Sequence, residues 1–397
     1  MSGQLRGAIS TATTHLSQLM AMFIGCLVCV SVSAQEPGDF NYMPAVPTPD
    51  AEQGLFLGIA AAGSRVVAVG ERGYIVYSDD GGKTWTQASV PISQTLTAVH
   101  FASDQIGWAV GHEGIILRTN DGGTTWSLQL TGYDASRLGL VVAEERLERA
   151  RAELEQAERD GTGNIDDLEY AVEDAQIALE SIQMAIEEGP SNPFLDVWFA
   201  DEKFGFAVGS YGMIFRTGDG GETWQAWGGH ISNPEGFHFY SLTRASGGTL
   251  FLAGEQGLLY RSRDLGEQWE RLDSPYEGSL FGVVAGEGGG GGYVLIFGLR
   301  GNLFRSTDDG DSWAAVPSGT DLSIFGGTLL DDGSLTLVGN SGVVLRSVDS
   351  GRTFSKFIRP NRQPNSAVVE NGSGDLVMVG RGGVKIVTVD GKDAKGG

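Results

Sequence analysis

Cysteine is nearly absent from the chain: two among 397 residues, Cys26 and Cys29, both within the first 34. Those 34 residues carry one charge, Arg6, then an apolar run from Leu19 to Val32 that ends in Val32-Ser33-Ala34. They read as a signal peptide cleaved after Ala34, and the protein is expected to be periplasmic or otherwise exported. The run is shorter than the ~20 residues of a spanning helix. Cleavage would leave no cysteine, which excludes disulfides, thiolate catalysis and cysteine-ligated metals together. Long apolar runs are missing from the remainder, so no direct membrane span is expected after leader removal. Basic residues are scarce as well: without Arg6, 26 of the 27 remain against 50 acidic ones, a formal charge of −24 in place of −23. Such a surface repels nucleic acid and anionic lipid. Histidine is sparse too; His100, His112, His230 and His238 show no H-E-x-x-H or Cys/His spacing, and neither a metal nor a cofactor is expected. The glycine run 288–292 has no following helix or G-K-[ST], so it is no phosphate loop.

What the chain does have is a repeat. VVAVGERGYIVYSDDGGKTW (66–85), GWAVGHEGIILRTNDGGTTW (107–126), GFAVGSYGMIFRTGDGGETW (205–224), LFLAGEQGLLYRSRDLGEQW (250–269), VLIFGLRGNLFRSTDDGDSW (294–313) and LTLVGNSGVVLRSVDSGRTF (335–354) align, and LVMVGRGGVKIVTVDG (376–391) is a shortened seventh copy. The first glycine of a G-x-x-G element falls at Gly70, Gly111, Gly209, Gly254, Gly298, Gly339 and Gly380, so the intervals are 41, 98, 45, 44, 41 and 41 residues. Each unit reads as four short strands, the signature of a propeller blade. The expected fold is all-β, a seven-bladed β-propeller carrying an inserted antiparallel α-helical coiled-coil hairpin. The last copy lacks a fourth strand, and DFNYMPAV (39–46) is expected to close the ring beside VKIVTV (384–389), removing exposed sheet edges.

The second half of the repeat follows [S/T]-x-D-x-G-x-[T/S]-W, with carboxylates at Asp80, Asp121, Asp219, Asp264, Asp308 and Asp349. An acid five residues before a tryptophan invites a catalytic reading. Recurrence argues against it, because a catalytic group is needed once and a turn once per blade. Asp accepts N–H bonds inside its own turn, Gly supplies positive φ, and the indole buries apolar area between blades. This phrase matches the Asp-box, or BNR, repeat, and the fuller unit A-V-G-x-x-G-x-I-x-R-[ST]-x-D-G-G-x-T-W resembles the photosystem II assembly and stability factor family of seven-bladed propellers. The resemblance covers roughly 50–390 outside the insertion. It implies an exported, non-enzymatic protein that binds a membrane protein complex or its soluble domain and helps to assemble or stabilise it. In a host without photosystem II the client would be a transporter or another envelope complex.

The interval of 98 residues holds the insertion. Leu140, Ala143, Leu147, Ala150, Leu154 and Ala157 alternate by three and four, as do Leu168, Val172, Ala175, Leu179, Ile182 and Ile186, with DGTGN (160–164) between them. Two antiparallel helices on an a/d seam follow. Residues 134–188 contain 16 acidic and 5 basic side chains, and none of the basic ones lies after Asp160. Two readings stand, a solvated helical face and an arm that docks a partner helix or a basic surface. The resulting organisation is signal peptide 1–34, blades 1–2 with the closing strand 35–132, acidic hairpin 133–190, and blades 3–7 at 191–397.

In a four-stranded blade the turns between strands two and three share a face with the links between blades. The G-x-x-G turns and the insertion therefore lie on one face and the Asp-boxes on the other. On the first face Arg72, Arg300, Arg359, Arg362 and Arg381 fall on blades 5, 6, 7 and 1. They are either a scattered solvated set or a sector that grips carboxylates by bidentate hydrogen bonds. The arginines before each box, Arg118, Arg216, Arg261, Arg305 and Arg346, recur with the repeat and read as structural. The competing class is a sialidase-like glycan-binding propeller or glycoside hydrolase, since sialidases carry Asp-boxes. The near-N-terminal (F/Y)-R-I-P of sialidases is absent, and Phe357-Ile358-Arg359-Pro360 has the wrong order and place.

Overall fold

The computed structural model describes residues 42–388; the leader 1–34 with both cysteines, the first residues of the expected closing strand, and Val389 lie outside them. Six four-stranded antiparallel sheets and one three-stranded sheet follow one another, each ordered as the chain runs. Their first strands stand side by side in a ring that closes between blade 7 (Asn365–Glu370) and blade 1 (Phe56–Ala62). The fold is a seven-bladed β-propeller with one helical hairpin.

Each second strand is buried along its whole length from the A-V-G stretch onward, as in Gly107–Gly111, Gly205–Gly209 and Leu335–Gly339. Neighbouring blades cover both faces, which is why these strands are continuously apolar instead of alternating. Between blades 2 and 3 Trp108 has no exposed surface. Its ring stacks on Phe199 with centroids 3.4 Å apart, and its Nε1–H donates to the Gly220 carbonyl at 2.9 Å. Trp108→Ala should cost about 3–5 kcal/mol, measured by urea unfolding; a loss below ~1 kcal/mol would show that this seam does not hold the two blades together.

The arginines before the boxes run from blade to blade. Arg261 donates to the Asp309 carbonyl at 2.7 Å and to Asp311 at 2.5 Å, Arg305 to the Ser350 carbonyl at 2.8 Å, and Arg216 pairs with Glu267 at 2.8 Å. In each case the acceptor belongs to the box region of the next blade.

The expected closing strand is corrected by the described residues. Among the described residues blade 7 has three strands, and Tyr42–Thr48 lies along blade 1, where the Ala45 N–H donates to the Val90 carbonyl at 3.1 Å and Gln87 Nε2 to the Val46 carbonyl at 3.1 Å. The physical reason is the hydrophobic site over Ala88 and Val90, just beyond the fourth strand of blade 1 (Thr86–Gln87), which buries Tyr42 and draws the segment there. Blades 7 and 1 meet instead through apolar packing of Val377, Val379 and Val384 on Phe56, Ala68 and Val76, and through Asn371, which donates to the Gly81 carbonyl at 2.8 Å.

Helix α1 (Gly132–Asp160) starts with a capping box in which Thr131 accepts from the Asp134 N–H and Asp134 accepts from the Thr131 N–H. It ends at Gly161 in the left-handed region, and α2 (Ile165–Glu188) returns along it. Ala143, Leu147, Ala157 and Ala175 are buried along the seam. The root of α1 packs Ala135 and Leu138 onto Phe194, Phe215 and their neighbours in blade 3. No helix among the described residues is long and apolar enough to cross a membrane.

Candidate binding face

Both glycines of G-x-x-G are steric requirements. A Cβ on Gly70 would stand 2.0 Å from the Leu55 carbonyl, and the equivalents at Gly298 and Gly339 would stand 2.1 Å from the carbonyls of Ser279 and Ser323. That carbonyl also accepts the N–H of the next turn residue, as in Glu71 to Leu55 at 2.9 Å. The second glycine takes positive φ, 68° at Gly73. The residue before it is left-handed too: Arg72 at 56°, Glu113 at 58°, Tyr211 at 53°, Gln256 at 53°, Arg300 at 57° and Ser341 at 51°. Two successive left-handed residues make the tight hairpin turn that suits strand twist, where Asn, Asp or Gly would be the easy choice.

Opposite each first glycine the innermost strand bulges by one residue. The register skips Leu57, Thr97, Leu195, Tyr240, Phe281, Phe325 and Ser366, one per blade. All seven line a central cavity of about 210 Å³. A bulge re-aims a side chain, and here it brings one residue per blade to the cavity beside the turns.

On blades 3 to 6 these positions join into an arc of aromatic rings. Tyr211 meets His238 edge-on at 4.8 Å, His238 lies 6.1 Å from Tyr240, Tyr240 5.4 Å from Phe281, and Phe281 5.7 Å from Phe325. Tyr211 is 66% exposed and Phe325 37%. His238 Nδ1 accepts the Tyr211 N–H at 2.9 Å, which fixes the ring against the turn. Burial, reinforced by Glu255, pushes the Tyr240 phenol up, so it stays neutral. This arc is not evident from the sequence alone. Its signal was positional: Phe325 and Tyr240 precede Gly339 and Gly254 by fourteen residues, as Thr97, Leu195 and Ser366 precede their own glycines.

Of the five candidate arginines, Arg72, Arg300, Arg362 and Arg381 are exposed on blades 5, 7 and 1 and on the link between blades 6 and 7, and none has an ion-pair partner among the described residues. Arg359 is corrected: it is 2% exposed, its Nη1 donates to Asn365 Oδ1 at 3.2 Å, and its backbone N–H donates to the Gly342 carbonyl. It braces the turn that presents Arg362, whose N–H bonds back to the Arg359 carbonyl at 3.0 Å. The hairpin rises from the same face, since a Cβ on Gly132 would stand 2.2 Å from the Glu113 carbonyl.

The other face is occupied by the boxes. Ser78 donates to Asp80 Oδ1 at 2.8 Å, Oδ1 accepts the Thr84 N–H at 2.9 Å, and Oδ2 accepts the Thr84 hydroxyl at 2.7 Å. Asp121, Asp219, Asp308 and Asp349 repeat the set, and Asp264 repeats it where Gln268 offers only a backbone N–H. The Thr84 N–H and hydroxyl hold Asp80 down at about 2, and the Thr353 hydroxyl and N–H do the same for Asp349. Both oxygens of Asp80, Asp121, Asp219, Asp308 and Asp349 are thus engaged within their own turns, and Asp264 is held through Oδ1. Among the described residues no group of His, Cys, Asp and Glu could hold a metal.

The family model described as "Photosynthesis system II assembly factor YCF48" matches residues 50–135 and 173–324, more than half of the chain. The chain belongs to this family. The unmatched stretch between the two segments lies inside the hairpin. Among solved structures, YCF48 bound to a D1 peptide is similar at a TM-score of 0.58 and 16% identity, covering 88% of this chain and 95% of that one. YCF48 from Cyanidioschyzon merolae is similar at 0.54 and 17%, covering 87% and 97%. A glycoside hydrolase, the GH74 enzyme of Niastella koreensis, has a TM-score of 0.56 at 14% identity, over 87% of this chain and 53% of that one. At such identities the likeness is one of fold. A comparison with curated proteins finds no match.

Proposed function

We propose that this YCF48-family propeller is an exported, non-enzymatic assembly or accessory factor that holds an extended segment of a membrane-protein client across its G-x-x-G face. The client is photosystem II in a photosynthetic host and otherwise a transporter or envelope complex. The observation that carries this reading is the meeting, on one face, of four unpaired arginines with an aromatic arc around a cavity of about 210 Å³. Arginine forks fix carboxylates with direction, and partly exposed aromatic rings supply anchoring area at low conformational cost. A D1 peptide bound to a YCF48 relative supports the same class of ligand here. The acidic hairpin would be a second contact, an arm for a partner helix.

Against the hydrolase alternative, glycoside hydrolysis needs two carboxyl groups flanking one bond. The cavity lining offers one carboxylate, Asp196, which accepts from the N–H groups of Val197 at 2.9 Å and Leu242 at 2.8 Å. That acid fastens the innermost strands of blades 3 and 4.

Crosslinking and affinity purification from the native envelope tests the proposal. Arg300→Glu, Arg362→Glu and Arg381→Glu together should abolish client capture while leaving the melting temperature in place. Phe281→Ser with Phe325→Ser should weaken capture by at least tenfold, in line with anchors worth about 2 kcal/mol. Client capture that survives both sets would exclude this face, and retention of oligosaccharides with no protein client would favour the glycan reading.

A further inference from the structure

We propose that the outer surface of α2 is a docking strip for a basic amphipathic helix of a partner protein. This rests on the reading of the hairpin as an arm and is independent of the arginine face. The seam residues of α2, Leu168, Val172, Ala175, Leu179, Ile182 and Ile186, place Tyr170, Ile177 and Met184 on the line diametrically opposite the seam. In a two-helix hairpin that line faces solvent and is ordinarily the most polar. Here Tyr170 is 70% exposed, and Ile177 and Met184 are 56% exposed each. The corresponding line of α1 carries Glu145, Ala152 and Arg159, so the apolar line belongs to one helix only.

The two positions flanking this line hold Asp166, Asp167, Glu173, Asp174, Glu180, Ser181, Glu187 and Glu188, seven carboxylates in eight places, and α2 has no basic residue. Among the described residues only Asp174 of the seven is in an ion pair, with Arg146 of α1. The result is an apolar line between two acidic rows, about 21 Å long at ~1.5 Å per residue. Its complement is a helix of about four turns with apolar residues every three to four positions and Lys or Arg on both flanks, which buries the line and neutralises the rows. Charge excludes the other occupants. A second copy would set seven carboxylates against seven, and an anionic lipid surface would be repelled.

The test uses the mature protein and a labelled 21-residue peptide with Leu at the a and d heptad positions and Lys at e and g, beside a scrambled peptide of identical composition. By fluorescence anisotropy at physiological ionic strength, the amphipathic peptide should bind at least tenfold more tightly than the scrambled one. Ile177→Gln with Met184→Gln preserves helix propensity and should erase that difference with the circular dichroism spectrum unchanged. Arg300→Glu with Arg362→Glu and Arg381→Glu should leave peptide binding as it was, which separates failure of this strip from failure of the arginine face. Equal binding of both peptides, binding that survives the Gln variants, absence of binding, or a dimer in sedimentation that the Gln variants dissolve would each overturn the proposal.

Discussion

Gly298→Ala should destabilise the protein by about 3–5 kcal/mol, an unusually large effect for one added methyl group. The new Cβ would sit 2.1 Å from the Ser279 carbonyl and 2.9 Å from Leu280 Cα, and both of these are backbone with no side-chain rotamer to yield. The same carbonyl accepts the Leu299 N–H at 3.0 Å, so relief of the clash breaks that bond and shifts Phe281 out of the aromatic arc. The φ of Gly298 is −178°, which any residue can adopt, so the penalty is one of contact and not of backbone conformation. Gly319→Ala is the matching control: its φ is 67° with nothing within 4 Å of the added atom, and it should lose only about 1 kcal/mol. Equilibrium unfolding in urea decides between them. Equal losses for the two variants would mean that the close approach at the first glycine is not what fixes the turn.

Acid should unfold the propeller abruptly below pH 4, after a nearly flat range from about pH 6.5 down to 4. The box carboxylates are held below their unfolded value, with Asp80 and Asp349 at about 2. Asp308 is lowered chiefly by the hydroxyls of Ser312 and Ser306; in Asp121 and Asp219 burial opposes, and the bonds from Thr125 and Thr223 outweigh it. A depressed carboxyl contributes stability that is complete above its unfolded pKa and vanishes as pH falls through the folded one. All six turns therefore lose stability as pH falls below the unfolded value near 4, with Asp80 and Asp349 the last to be protonated, at about 2. Two groups near the channel act at higher pH with opposite signs. Burial pushes Asp196 up to about 6, so its proton is favoured in the native state and stability falls as pH rises from 4 to 6. Burial pushes His100 down to about 4, against its contact with the Phe199 carbonyl, so stability falls as pH drops from 6.5 to 4. Their slopes largely cancel. Melting temperatures between pH 7 and 2 check this, and Asp349→Asn should melt lower than the parent at pH 7 and converge with it near pH 2. A parallel offset at every pH would show that the carboxylate charge contributes nothing.

The ring of blades and the helical hairpin were readable because each is periodic: glycine at fixed intervals, apolar residues at two and then at three and four. The place of the closing segment was not legible, because a missing strand at blade 7 shows in the repeat whereas its competitor at blade 1 does not. Tyr42 found a hydrophobic site at blade 1, and a burial site formed by residues more than forty positions away has no local signature. Arg359 shows the same limit. Its place in an interblade link beside Arg362 suggested exposure, yet Asn365 six residues later captures the guanidinium. The aromatic arc stayed hidden for a different reason. A bulge shifts alternation by one residue, so Phe281 and Phe325 read as ordinary members of apolar strands until the register with Gly298 and Gly339 shows each to be the unpaired one.

Those unpaired residues have a consequence for how such a face can change over time. Each is inserted outside the ladder of its strand, and each is remote from the boxes and from the arginines that bind blade to blade. Leucine, threonine, tyrosine, phenylalanine and serine all occupy the position in this one chain. A substitution there leaves the hydrogen-bond ladder of the blade intact and alters one seventh of the rim. Ligand preference can therefore drift in single steps while the scaffold stays as it is, and a new client would require no new fold.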